Sequence, residues 1–267
     1  MNTKYVDELA EKVFNAIKDC IAEDKKVGVL FSGGIDSTLI SFCLKKMNID
    51  FTCYTAALEG EKLSAARDLV SAREIAKKYG FRLKENIVDI DNMEPLLKDV
   101  ICVIKSTNVV KVGVAMPLYL CMKRAFEDGT ELIFSGLGSE EIFAGYERHA
   151  KALDINEECR KGLIEIEERD LKRDRSLANH FGLTLLLPFL EKDLVEYALS
   201  IPGEYKIIGE NKKMILRRAA MKIGLEEKEA MRKKLGAQYG SKFDRGLQKL
   251  AKKNGYKYKS EYLNSLY

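Results

Sequence analysis

Between Lys26 and Ile40 the chain reads KVGVLFSGGIDSTLI, and its hydrophobic period changes in the middle of that run. Val27 to Phe31 is a short apolar run rich in β-formers, the pattern of a buried strand. After Gly33 and Gly34, the apolar residues Ile35, Leu39, Ile40 and Phe42 to Leu44 take helical spacing. The turn between them lets an anion come close to the backbone, and the first N–H groups of the new helix point at it. The run lacks the GxxxxGK pattern of the Walker loop and has no lysine where that loop needs one, so a phosphate held here is held differently. Asp36 has two readings. It is a first-turn acid favoured by the helix dipole, or a ligand for a Mg²⁺ carried by a polyphosphate.

The rest of the chain repeats the alternation. Residues 4–22 carry a helical stripe, 49–55 read as a strand, and 62–79 as a helix ended by Gly80. A third strand is expected over 81–88, helices over 93–105 and 114–127, and a fourth strand over 132–134. Strands alternating with helices predict an α/β fold, a parallel twisted sheet with helices on both faces. Ligands of such sheets sit beyond the carboxyl ends of the strands, which is where the glycine turn and a second loop, Ser135-Gly136-Leu137-Gly138-Ser139, both fall. From about residue 150 onward the pattern is helical with little strand signal. The expected plan is one domain with an N-terminal helix over 1–24, an α/β core over 25–150, a helical C-terminal lobe over 151–251 and a basic tail over 252–267. The tail reads as a frayed helix or a segment ordered on binding.

Charge is unevenly distributed. From Tyr205 to the end Lys and Arg outnumber Asp and Glu 17 to 6, whereas the whole chain carries only +4. Such an excess suits ATP phosphates, RNA or solvated helix faces. No run of 18 apolar residues occurs, so no membrane partner and a cytoplasmic location are expected. The six cysteines show no CxxC spacing, and Cys43, Cys102 and Cys121 sit among apolar neighbours, which argues against a disulfide framework and against a closed zinc site.

The second loop continues into paired carboxylates, SGLGSEEIFAGY over 135–146. With the first loop it carries a resemblance. SGGIDST resembles the pyrophosphate (PP) loop of the ATP pyrophosphatase superfamily, whose fold is adenine nucleotide α-hydrolase-like. Together with LLPFLE over 186–191, KMILR over 213–217, RDLKRD over 169–174, Arg232-Lys233-Lys234 and Gln238 to Ser241, the chain looks like the synthetase domain of the asparagine synthetase family, which includes β-lactam synthetase. The likeness runs over roughly residues 25–245.

The resemblance implies an ATP-dependent ligase that adenylates a carboxylate, releases pyrophosphate and transfers the acyl group to ammonia or an amine, with aspartate the default substrate. It implies that Ser32, Gly33, Gly34 and Ser37 hold the leaving phosphates, with Gly136 at the same nucleotide site. Phe31 and Ala56 match backbone positions that hold adenine. Asp36 and Glu140 match the carboxylates that hold Mg²⁺, and Lys213 a lysine that stabilises charge during acyl transfer. The implied cofactors are ATP and Mg²⁺. Four residues depart from the family pattern: Leu137 stands where asparagine synthetases carry a Glu, Glu140 and Glu191 stand for Asp, and Leu186 for Arg. Position 2 is Asn rather than the Cys of an N-terminal-nucleophile glutaminase, which leaves room for a glutaminase on a separate chain. An ATP-binding protein without synthetase activity and an RNA-modifying adenylating enzyme stay as alternatives, and the oligomeric state is left open.

Overall fold

The structure is a computed structural model that describes residues 3–22, 24–59, 65–232 and 237–267. Met1-Asn2, the start of the expected helix at 62–64, and Lys233-Lys234 lie outside the described residues.

In chain order the first elements are α1 (Thr3–Asp19), β1 (Val27–Leu30), α2 (Ile35–Lys46), β2 (Phe51–Leu58), α3 (Arg67–Tyr79) and β3 (Leu83–Val88). Next come α4 (Met93–Ile104), α5 (Val109–Glu127), β4 (Leu132–Phe134), α6 (Ser139–Ile142), α7 (Glu147–Ala150) and α8 (Ile155–Ile166). A π-helical turn over Glu167–Leu171 joins α8 to α9 (Lys172–His180), followed by β5 (Thr184–Leu186) and α10 (Lys192–Ser200). The chain closes with α11 (Met214–Ile223), α12 (Glu227–Ala230), α13 (Ala237–Gly240), α14 (Phe243–Lys253) and α15 (Lys259–Ser265).

The five strands form one parallel sheet in the order β3-β2-β1-β4-β5. Side chains alternate between its faces, as strand pleating requires. Val27 and Val29 of β1, Phe51 and Cys53 of β2, and Leu132 and Phe134 of β4 join a core with α1, α2, α10 and α11. Leu30, Tyr54, Ala56, Leu58 and Ile133 join the opposite core with α4, α5, α9, α14 and α15. The centre of the sheet is therefore covered on both faces, which is why β1 and β2 are buried along their whole length and largely apolar. Strand order reverses between β1 and β4, and in sheets of this kind that is where a crevice opens.

Two expectations are corrected. The region after residue 150 is not wholly helical, because β5 pairs with β4 through Leu132↔Thr184 to Phe134↔Leu186 and extends the sheet. Three residues at a half-exposed edge, running into Pro188, leave almost no periodic signal. The tail is neither frayed nor awaiting a partner. Helix α15 packs Tyr262 and Leu263 into the second core, Tyr262 donates to Glu94 at 2.8 Å, and Lys259 pairs with Asp244. Among the described residues no single helix is long and apolar enough to cross a membrane. The apolar α4–α5 pair is bent by 106°.

Candidate active site

The first loop leaves β1 at Phe31 and enters α2 at Ile35. Gly33 takes φ +64°, and a Cβ there would lie 2.9 Å from the backbone of Ser71 and Ala72, so only glycine seats this turn against α3. Arg232 Nη2 donates to the Gly33 carbonyl at 2.5 Å, tying the loop to the far end of the chain. Ser37 Oγ accepts weakly from the Ser32 N–H at 3.4 Å and donates to the Gly34 carbonyl at 3.3 Å, closing the turn over the start of α2.

The second loop leaves β4 and enters α6 through Gly138, whose φ of +97° again favours glycine. A Cβ on Gly136 would lie 2.7 Å from Asp36 Cβ. A Cβ on Gly145 would fall on Glu140 Oε2 and lie 2.5 Å from Lys213 Cε. Missing side chains thus let two loops from opposite sides of the crevice bring Asp36 and Glu140 to one point.

Lys213 occupies that point. Its Nζ lies 2.9 Å from both Asp36 oxygens, 2.7 Å from Glu140 Oε1 and 3.0 Å from Ser139 Oγ. The side chain is only 4% exposed. Burial works against the ammonium, but Asp36 and Glu140 more than offset it and hold Lys213 above the ordinary lysine range. Its backbone is left-handed, φ +56° and ψ +30°, which costs a non-glycine residue about 1 kcal/mol. Met214, next in the chain, donates its N–H to the Lys206 carbonyl at 2.8 Å, so the start of α11 is anchored.

Two clefts meet at the carboxylate pair. The first, of about 200 Å³, is lined by Phe31, Ser32, Asp36, Ser37, Ala56, Gly136, Leu137 and Glu140, with Pro117 and Leu118 of α5 as an apolar wall. Strand β1 stops opposite Tyr54, so β2 runs past it and Ala56 lies inside β2 rather than at its end. The second cleft, about 580 Å³, is lined by Asp36, Glu140, Gly145, Glu147, Lys213 and Arg217 among others. Gly33 and Gly34 line neither cleft, and Lys213 lines only the second.

The donor set can be tested against Mg²⁺. Among the described residues no group of three or more His, Cys, Asp or Glu side chains forms a metal cage. Asp36 and Glu140 with the Ser139 hydroxyl are hard oxygen donors, and the missing side chain of Gly145 lets the Glu140 carboxylate reach this point, which suits an ion that arrives on phosphates and takes one or two protein carboxylates. The residues fit.

Sequence reasoning gave no role to the layer behind this site. Glu141, fully buried, accepts from Tyr146 Oη at 2.9 Å and pairs with Arg169. Arg169 also meets Asp170 at 2.7 Å, and buried Arg173 bridges Asp170 at 2.9 Å and Asp174 at 2.7 Å on the wall of the first cleft. The π-helical turn places these charges, and the run RDLKRD was the only visible trace of it. Among the described residues four of the C-terminal cations pair with acids of earlier segments: Lys222 with Asp7 at 2.8 Å, Lys253 with Asp91 at 3.0 Å, Lys212 with Glu147 and Lys213 with Asp36.

A parallel sheet with two glycine loops converging where its strand order reverses is a framework for binding nucleotides and other phosphates. The chain belongs to the asparagine synthase family, whose model matches residues 8–165 and 152–265. It is similar to a putative glutamine-hydrolyzing asparagine synthetase 1 of Methanocaldococcus jannaschii, 29% identical over 310 residues that cover 100% of this chain and 56% of the relative. It is also similar to the asparagine synthetase of Gallus gallus, 33% identical over 203 residues, 72% of this chain and 35% of that protein. Asparagine synthetase B of Escherichia coli is 28% identical over 232 residues, 79% and 41% respectively. The chain thus spans about half or less of the length of these curated relatives. Among solved structures, an NMN synthetase from Francisella tularensis aligns at TM-score 0.45 and 12% identity, covering 100% of this chain and 92% of that one.

Proposed function

We propose that this chain is an ATP-dependent ligase that adenylates a carboxylate and passes the acyl group to ammonia or an amine, releasing pyrophosphate and AMP. The carrying observation is the meeting of Asp36, Glu140 and Lys213 at the junction of two clefts, between two glycine loops. In this reading Phe31 and Ala56 present backbone to adenine, while Ser32, Ser37 and Gly136, which line the first cleft, hold the departing phosphates with N–H and hydroxyl donors, and Gly33 and Gly34 shape the turn that presents them. Asp36 and Glu140 would hold a Mg²⁺ ion, which when bound would neutralise charge on the phosphates. Lys213 offsets negative charge on the acyl centre as the amine attacks. Leu137 brings no proton-transfer group to the first cleft, so the incoming nitrogen loses its proton elsewhere.

The names of the relatives make aspartate and ammonia the first pair to try, with ammonia taken from solution or from a glutaminase on a separate chain. The test is Mg²⁺-dependent exchange of labelled pyrophosphate into ATP with aspartate, other amino acids, a pool of small carboxylates and total tRNA. Exchange with one carboxylate is the expected result. Exchange only with tRNA would move the assignment to RNA modification, and silence with every acceptor alongside measured ATP binding would leave a nucleotide-binding protein without synthetase chemistry.

A further inference from the structure

Lys213 stands on the same oxygens that the ligase reading gives to the metal. Its ammonium has three protons and faces four oxygens, two from Asp36 at 2.9 Å, one from Glu140 at 2.7 Å and one from Ser139 at 3.0 Å. All four are hard donors, with no nitrogen or sulfur among them. A divalent ion bound to these oxygens at roughly 2.1 Å would lie no farther than about 5 Å from Nζ and would compete with the ammonium for the same lone pairs, while the two cations repel.

We propose that Lys213 and the divalent cation are alternative occupants of the Asp36–Glu140 pair, so that arrival of the metal–nucleotide releases the Lys213 side chain into the second cleft. The inference rests on the ligase reading of this site and adds an order of events to it. Before nucleotide enters, the ammonium holds the two carboxylates together and keeps them from repelling one another. Once displaced, it faces the cleft that Lys213 already lines and the first cleft does not share. The release path is the second cleft of about 580 Å³, which Lys213 itself lines, while Gly145, whose missing Cβ position is taken by Glu140 Oε2, lets the two side chains sit together beforehand. The backbone need not move, because the Lys206 carbonyl holds the Met214 N–H while the lysine side chain turns about its own bonds. The acyl-transfer lysine is thereby sequestered until ATP is in place.

The experiment uses the full chain and Mn²⁺ alone, without nucleotide, with free Mn²⁺ read by electron paramagnetic resonance. The wild type is expected to bind weakly and Lys213→Met at least about tenfold more tightly, because the carboxylates lose their internal counter-ion. Adding Asp36→Asn to Lys213→Met should return binding to the wild-type level, and Lys213→Arg, which keeps the cation, should bind as weakly as wild type. Thermal melting checks that each variant is folded, and Lys213→Gln replaces Lys213→Met if the latter is not. Folded Lys213→Met or Lys213→Gln that binds Mn²⁺ no better than wild type would overturn the proposal, as would Lys213→Arg that binds as tightly as the neutral variants. Pyrophosphate exchange scores the ligase reading separately. Exchange in the wild type with no Mn²⁺ gain in the neutral variants removes the displacement and keeps the ligase, and a Mn²⁺ gain without exchange for any acceptor does the reverse.

Discussion

Glu140 and Glu141 are neighbours on α6 and live in opposite surroundings. Glu140 is 32% exposed, lines both clefts and meets Lys213. Glu141 is fully buried, receives Tyr146 and Arg169, and has His149 and Lys206 in the same interior layer. Successive helical residues point about 100° apart, so one short helix supplies one carboxylate to solvent and one to the interior. The open carboxylate has a partner that a bound cation can replace. The closed one has partners whose loss leaves charge stranded in a dry place. A pair of acids in a sequence is thus two devices, one for chemistry and one for the fold.

The largest expected effect separates the two devices directly. Glu140→Gln should lower pyrophosphate exchange by about 10³-fold, by loss of an electrostatic contact to the reacting phosphates, and leave the melting temperature within a few degrees of wild type. Next, Glu141→Gln should cost about 3 kcal/mol in denaturant unfolding, because Arg169 keeps only its other partners, Asp170 and Glu165. A Glu140 variant that unfolds, or a Glu141 variant as stable as wild type, would erase the contrast.

The closed layer also carries a pH signature. His149 Nδ1 accepts the Tyr146 N–H at 3.0 Å, and burial first, then Arg148, Lys206 and Arg169, pushes its pKa down to about 4. The unfolded chain binds the proton near pH 6.5, so His149 favours the folded state fully above that value, and its contribution fades as pH falls toward about 4. Over that span the loss reaches about 3 kcal/mol, and His149→Gln should flatten this part of the stability profile. The smallest effect belongs to the solvent side. Lys253→Ala breaks a pair with Asp91 that is 68% and 82% exposed, and stability should stay within about 0.5 kcal/mol of wild type.

How much of this was legible before the structure follows from where each signal resides. Strands β1 and β4 are short apolar runs and β2 is rich in β-formers, so local sequence announces them, and the two glycine loops follow because each sits directly after a strand. Strand β5 was missed because a three-residue edge strand gains its identity from β4 and not from its own composition. Asp36 and Glu140 were visible as acids at loop ends, but their convergence depends on strand order. Lys213 carries no local mark, and it was named only through the KMILR resemblance. The interior layer was unreadable for the same reason, since Glu141 and Arg169 are 28 residues apart and Arg232 reaches Gly33 across 199.

The separation between Lys213 and Asp36 is 177 residues. Closing a loop of that length is entropically costly, and contacts so remote in sequence form late as a chain folds. During synthesis both glycine loops and both carboxylates emerge long before α11. Lys213 is the last part of the cluster to be made, so Asp36 and Glu140 gain their shared counter-ion only when α11, itself part of the core beneath them, has been added.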